Sequence, residues 1–149
     1  MGRLPLLLPL LAFLPLLAGC GEEAVPLAPV GGTVTLNGEP AAGVRVRFLP
    51  VREPNGTPYA ASTGVTDERG RYELTYRAKD LEAPGAVVGP HRVLLSDYAA
   101  IEARDPTVAP ERIPPKYSSA GSTPLRADVA EAGSDPPAPQ TIDFDADRL

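Results

Sequence analysis

From residue 30 onward, apolar and polar side chains alternate with a period of two, the spacing of half-buried strands and not of helices. Gly32-Thr33-Val34-Thr35-Leu36 alternates until Asn37-Gly38-Glu39-Pro40 interrupts it. Val44, Val46 and Phe48 then alternate with Arg45 and Arg47 and stop at Pro50. Tyr59 to Thr66 forms a weaker strand of small residues, suited to an edge or a close-packed position. Asp67-Glu68-Arg69-Gly70 is tight-turn chemistry, with Gly70 placed for a positive φ. Tyr72, Leu74 and Tyr76 follow, then His91, Val93 and Leu95, then Leu125, Ala127 and Val129, and last Ile142 and Phe144 around Asp143. Seven short alternating segments between proline and glycine breaks predict an all-β fold, a single antiparallel β-sandwich over residues 30–149. One connection departs from the pattern. Residues 99–120 carry Pro106, Pro110, Pro114 and Pro115 without periodicity, and predict a loop longer than ordinary connections.

Composition narrows the picture. Sixteen of the nineteen prolines fall after residue 19, and each proline inside a helix costs about 3 kcal/mol, so a mostly helical domain is excluded. The length of 149 residues allows one domain, and a sandwich of 30–149 is large enough to bury about two-thirds of its unfolded surface without disulfides. With one Cys, one His and no Trp, neither a metal cluster nor a disulfide framework is expected, and no cofactor is implied. The net charge of −5 argues against nucleic acid as a partner, which calls for clustered positive charge.

The first twenty residues have their own logic. Met1-Gly2-Arg3 is a minimal positive start, and the apolar run from Leu4 to Ala18 is shorter than the ~20 residues of a membrane-spanning helix. The run ends in Leu17-Ala18-Gly19-Cys20, a tetrad that resembles the bacterial lipobox. The resemblance implies cleavage before Cys20, with Ala18 and Gly19 small enough for the peptidase cleft and the Cys20 thiol joined to diacylglycerol. Residues 1–19 then form a signal peptide, and 20–29 a tether to the domain. Cys20 is the only cysteine, so no disulfide competes for it. Two or three acyl chains, each methylene worth about 0.8 kcal/mol, hold a protein to a bilayer almost permanently. Without Arg3 the mature chain carries 13 Lys and Arg against 19 Asp and Glu, so its charge does not draw it to anionic headgroups. The expected location is a cell membrane or outer membrane, on the periplasmic or exterior side. Gly21 after the cysteine, in place of Asp, leans toward the outer one.

Within the folded part, Gly32 to Pro40 followed by Gly43-Val44 and Val46-Arg47-Phe48 resembles the opening of carboxypeptidase regulatory-like domains. Thr66-Asp67-Glu68-Arg69-Gly70-Arg71-Tyr72 is similar to their "T-D-x-x-G-x-Y/F" hairpin, and Gly89-Pro90-His91-Arg92-Val93 stands where they carry "P-G-x-Y-x-V". Ile113-Pro114-Pro115-Lys116-Tyr117, the strand from Pro124 to Val129 and the closing Ile142-Asp143-Phe144 resemble small planctomycete-type lipoproteins with such a domain. The resemblance implies a transthyretin-like (prealbumin-type), Greek-key sandwich with no catalytic activity, used as an accessory, binding or spacer module.

Candidate chemistry is sparse. Asp67, Glu68 and Gly70 have the residue types of a calcium turn, but only two carboxylates are close in sequence, and a capped hairpin explains them. His91 has the chemistry of a general base but lacks an evident nucleophile, so a packed role is expected. Asn55-Gly56-Thr57 matches a glycosylation acceptor and reads as a turn. The C-terminal Asp147-Arg148-Leu149 departs from the tyrosine–arginine–glycine–serine motif of transthyretin-like hydrolases, and Lys79 and Lys116, the only lysines, do not lie on an early strand as an isopeptide cross-link requires. Tyr98 and Tyr117 flank the long connection and are the best candidates for exposed ligand contacts, the alternative being that they cover the end of the sandwich. The sequence therefore predicts a non-enzymatic lipoprotein whose partners are the bilayer, through Cys20, and an envelope protein or glycan. The alternative is a carbohydrate- or peptide-binding accessory module of an envelope hydrolase or transport complex.

Overall fold

A computed structural model describes residues 24–51, 58–133 and 136–149. Two sheets face each other across one core. The larger contains β4 (Val44–Pro50), β5 (Ser62–Val65), β7 (Thr75–Ala78), β8 (Leu81–Pro84), β10 (Gly89–Asp97) and β11 (Arg126–Val129). Its order is β11-β10-β4-β5-β7-β8, antiparallel throughout. The smaller is built around β2 (Val30–Leu36), with β3 (Glu39–Pro40) and β6 (Arg71–Glu73) antiparallel to one edge. On the other edge β12 (Gln140–Thr141) and β13 (Phe144–Ala146) run parallel to β2. A ribbon of β1 (Leu27–Ala28) and β9 (Ala86–Val87) closes one end.

The predicted all-β sandwich is the observed fold, and the inward sets are those the alternation marks. Val44, Val46 and Phe48 of β4 are fully buried, as are Val93 and Leu95 of β10. Phe48 is the centre of the core. Its ring lies 5.4 Å from His91 in its own sheet, 6.5 Å from Tyr72 on β6 and 6.0 Å edge-on from Phe144 on β13. One side chain thus ties both sheets together, in the tilted and edge-on geometries that aromatic pairs favour.

Gly32 and Gly70 are among the glycines that geometry requires. A Cβ on Gly32 would stand 1.9 Å from the Ile142 carbonyl oxygen, so only glycine lets the C-terminal strands lie against β2. Gly70 adopts φ +74°, the left-handed turn conformation its sequence position predicts.

Three expectations about segments need correction. The stretch Tyr72–Tyr76 is not one strand. Arg71–Glu73 pairs with β2, while Thr75–Ala78 pairs with β5 in the other sheet. The chain crosses at buried Leu74, whose N–H donates to Val30 O at 2.9 Å and whose carbonyl accepts from Gly85 N at 2.7 Å. Pro26 to Ala28, expected in the tether, belong to the folded domain, because Leu27 and Ala28 pair with Val87 and Ala86, and Val88 N donates to Pro26 O. The 99–120 connection is not structureless. It opens with a helix, α1 (Tyr98–Ala103), capped by the Asp97 carboxylate, and contains a 3-10 turn at Pro115–Tyr117. Buried Ile113 and Tyr117 nail it to the core.

Candidate functional site

The crossing at Leu74 helps to shape a concavity. As β6 leaves the smaller sheet for β7 in the larger, the outer face of β2, β6 and β12 curls into a groove of about 760 Å³. Gly31 and Thr33 of β2 form its floor, Arg71 and Glu73 of β6 one wall, and Gln140 and Thr141 of β12 the other. The side chains of Thr33, Arg71, Glu73, Gln140 and Thr141 are polar and at least partly exposed, whereas Tyr72 turns inward and donates its hydroxyl to Ile142 O at 2.5 Å. Burial, then the nearby Asp143 charge, raises the Tyr72 pKa and keeps the phenol protonated. Gln140 holds its wall in place by clasping Ala130 twice, accepting from its N–H at 2.9 Å and donating to its carbonyl at 2.7 Å.

At one end of the groove Asp67 performs the hairpin role the turn sequence predicts. Its Oδ1 accepts from Arg69 N at 2.8 Å and Arg71 N at 2.9 Å, and its Oδ2 from Arg71 Nε at 3.2 Å. The Arg71 backbone hydrogen bond leads the contributions that lower its pKa. A carboxylate so engaged is a turn cap. The groove sets these donors and acceptors beside the apolar surfaces of Pro29, Val65, Leu74, Pro84 and Pro139.

Tyr98 and Tyr117 do not form an exposed pair. Tyr117 is 4% exposed. Its hydroxyl donates to Asp147 Oδ2 at 3.0 Å and accepts from Asp147 N at 3.1 Å, while Lys116 bonds the same Oδ2 and sits 4.9 Å from the ring centroid. It clasps the C-terminal segment. Tyr98 is half-buried, with the Arg45 guanidinium 4.4 Å from its ring centroid, a cation–π contact that covers one face.

His91 is packed, 1% exposed against Phe48. Its Nδ1 lies 2.9 Å from Gly89 O and its Nε2 has no hydrogen-bond partner. Burial lowers its pKa, outweighing the Gly89 carbonyl and the Asp128 charge that act the other way.

One site escaped the sequence reading. Asp97 continues the inward phase of His91, Val93 and Leu95, and its side chain is 1% exposed. Arg112, from the far end of the α1 connection, meets it and also donates from Nη2 to Ala42 O at 2.8 Å. Burial pushes the Asp97 pKa up, but the hydrogen bonds and charge of Arg112 outweigh it and the net direction is down. A pocket of about 340 Å³ between Gly43, Ala99, Ala109 and Pro110 opens beside this pair. An aspartate at an inward strand position signals a buried partner, yet no spacing rule identifies Arg112 fifteen residues on.

Leu17, Ala18, Gly19 and Cys20, and the Asn55-Gly56-Thr57 triplet, lie outside the described residues. Comparison with protein families, curated proteins and solved structures returns no match.

Proposed function

We propose that this chain is a bacterial lipoprotein, held through acylated Cys20 on the extracytoplasmic side of a membrane, whose β-sandwich serves as a non-catalytic binding or structural module. The observation that carries the reading is the join between leader and domain. The Leu17-Ala18-Gly19-Cys20 tetrad is followed only six residues later by Pro26, already hydrogen-bonded into the sandwich. A lipid on Cys20 would seat the folded body directly above the bilayer.

The deployment of three buried polar side chains, Thr66, Thr123 and Asp97, supports a structural module. Thr66 accepts from Val44 N and donates to Ala41 O, and Thr123 donates to Val93 O and accepts from Leu125 N. Asp97 fastens the α1 connection. These side chains are spent on holding backbone. The resemblance to carboxypeptidase regulatory-like domains points the same way.

The test is the intact mass of the protein extracted from membranes, with a Cys20→Ser variant beside it. The expected mass lacks residues 1–19 and carries diacylglycerol and a fatty acyl chain at Cys20, and the variant leaves the membrane fraction. A variant that stays in that fraction as fully as the parent overturns the anchor.

The groove favours a second reading on the same anchor, an accessory module that binds a glycan or peptide for an envelope hydrolase or transporter. A Thr141→Arg substitution would then block capture of envelope partners or glycans without altering membrane retention.

A further inference from the structure

We infer that the sandwich stands on the membrane with one defined end down: the end formed by the β1–β9 ribbon, the β7–β8 turn and residues 130–133 after β11 faces the bilayer, and the α1 connection with residues 146–149 faces away. This rests on the reading of Cys20 as the lipid attachment.

The argument is one of chain direction and reach. Pro26 is pinned by its hydrogen bond from Val88, and Leu27 and Ala28 are paired in register with Val87 and Ala86. From Cys20 to Pro26 the chain advances six residues, so their Cα atoms stand at most about 22 Å apart. From Ala28 the chain enters β2 and runs away from the pinned end. The same end collects Pro50 and His91, which are opposite each other, and Gly89 and Val129, likewise paired. It also holds the Lys79-Asp80 turn, because β7 runs antiparallel to β5. Val51 and Leu81, two of the exposed large apolar side chains, stand there too.

The other end collects the β2–β3 turn, the Asp67–Gly70 turn, α1 and the last residues. Val44 pairs with Asp97, Tyr98 N donates to Gly43 O, Leu149 N to Arg112 O, and Asn37 N to Ala146 O. The nine residues of β10 place this end about 26 Å beyond the first. The tether can bring the pinned end to the headgroups, and the α1 end only by laying the domain on its side. The mature chain's excess of acidic residues gives its flanks no electrostatic reason to lie on an anionic surface. The bilayer is thus the partner of one end, and the α1 end is the face presented outward.

The experiment uses the lipidated mature protein in phosphatidylglycerol–phosphatidylethanolamine vesicles containing a headgroup-borne nitroxide quencher. Cys20 is the only native cysteine and is consumed by lipid, so Glu131→Cys and Val108→Cys each supply one thiol for a fluorophore. Flotation with the vesicles is measured first. The expected result is that both proteins float and that the label at position 131 is quenched several-fold more than the label at 108. Floating protein with equal or reversed quenching overturns the orientation and leaves the anchor standing. Protein that does not float refutes the anchor, and the orientation with it.

Discussion

Arg112 meets Asp97 side-on, with Nε 2.6 Å from Oδ2 and Nη2 2.9 Å from Oδ1. The fork-to-fork geometry is that of a bidentate guanidinium–carboxylate pair, and the Arg112 backbone N–H adds a third bond at 3.2 Å. The connection leaves the sandwich at Asp97 and is fastened back to the same residue. Removing one partner is costly because the other charge stays buried. Arg112→Met is expected to lower stability by about 3 kcal/mol, read as an earlier midpoint in urea. Combining it with Asp97→Leu restores only part of that loss, because the cap on α1 goes with the carboxylate.

His91 sets a pH dependence with a definite sign. Burial holds its pKa below the ordinary 6.5, so the unfolded chain takes up the proton first. Stability is therefore complete above about pH 6.5 and declines as pH falls from there toward the lower folded-state value. His91→Phe removes this decline, and denaturation midpoints at pH 7 and about pH 5 should then agree far better than in the parent. Asp97, Asp145 and Asp147, with pKa values below 3.8, contribute above 3.8 and lose that contribution only at more acid pH.

Gly32→Ala pushes a methyl group into the Ile142 carbonyl and should displace the last strands. The expected cost is about 2–4 kcal/mol, with faster amide exchange at Ile142 and Phe144. Gly133→Ala, which meets nothing within 4 Å, is the control and should leave both measurements unchanged.

Tyr117→Phe keeps the buried ring and deletes the hydroxyl that both donates to and accepts from Asp147. A loss of about 1 kcal/mol is expected, accompanied by earlier proteolysis within residues 146–149. An undiminished midpoint would show that the clasp on the C-terminal segment is ornamental.

The sandwich was legible because β4 and β10 repeat their inward phase over seven and nine residues, long enough for a period to register. Gly70 was legible because its turn sequence is local. The crossing at Leu74 was not. Tyr72, Leu74 and Tyr76 all point inward whichever sheet they join, so alternation reports facing and is blind to partner. Leu27–Ala28 was hidden by its length, since two residues between prolines carry no period. α1 is six residues long and owes its start to the Asp97 cap, which in sequence looks like the end of a strand. Tyr117 sits outside any periodic segment, so nothing local says that its ring is buried. The groove depends on the same crossing and was equally out of reach.

The parallel edge of β2 has a consequence for how the molecule comes into being. Thr33 waits for Asp143, 110 positions downstream, and Val34 for Phe144. β2 is thus completed by strands that follow it by more than a hundred residues. Until β12 and β13 dock, its bare flank is available to any neighbouring polypeptide that can add a ribbon to it. A prematurely terminated product would keep that flank open for life.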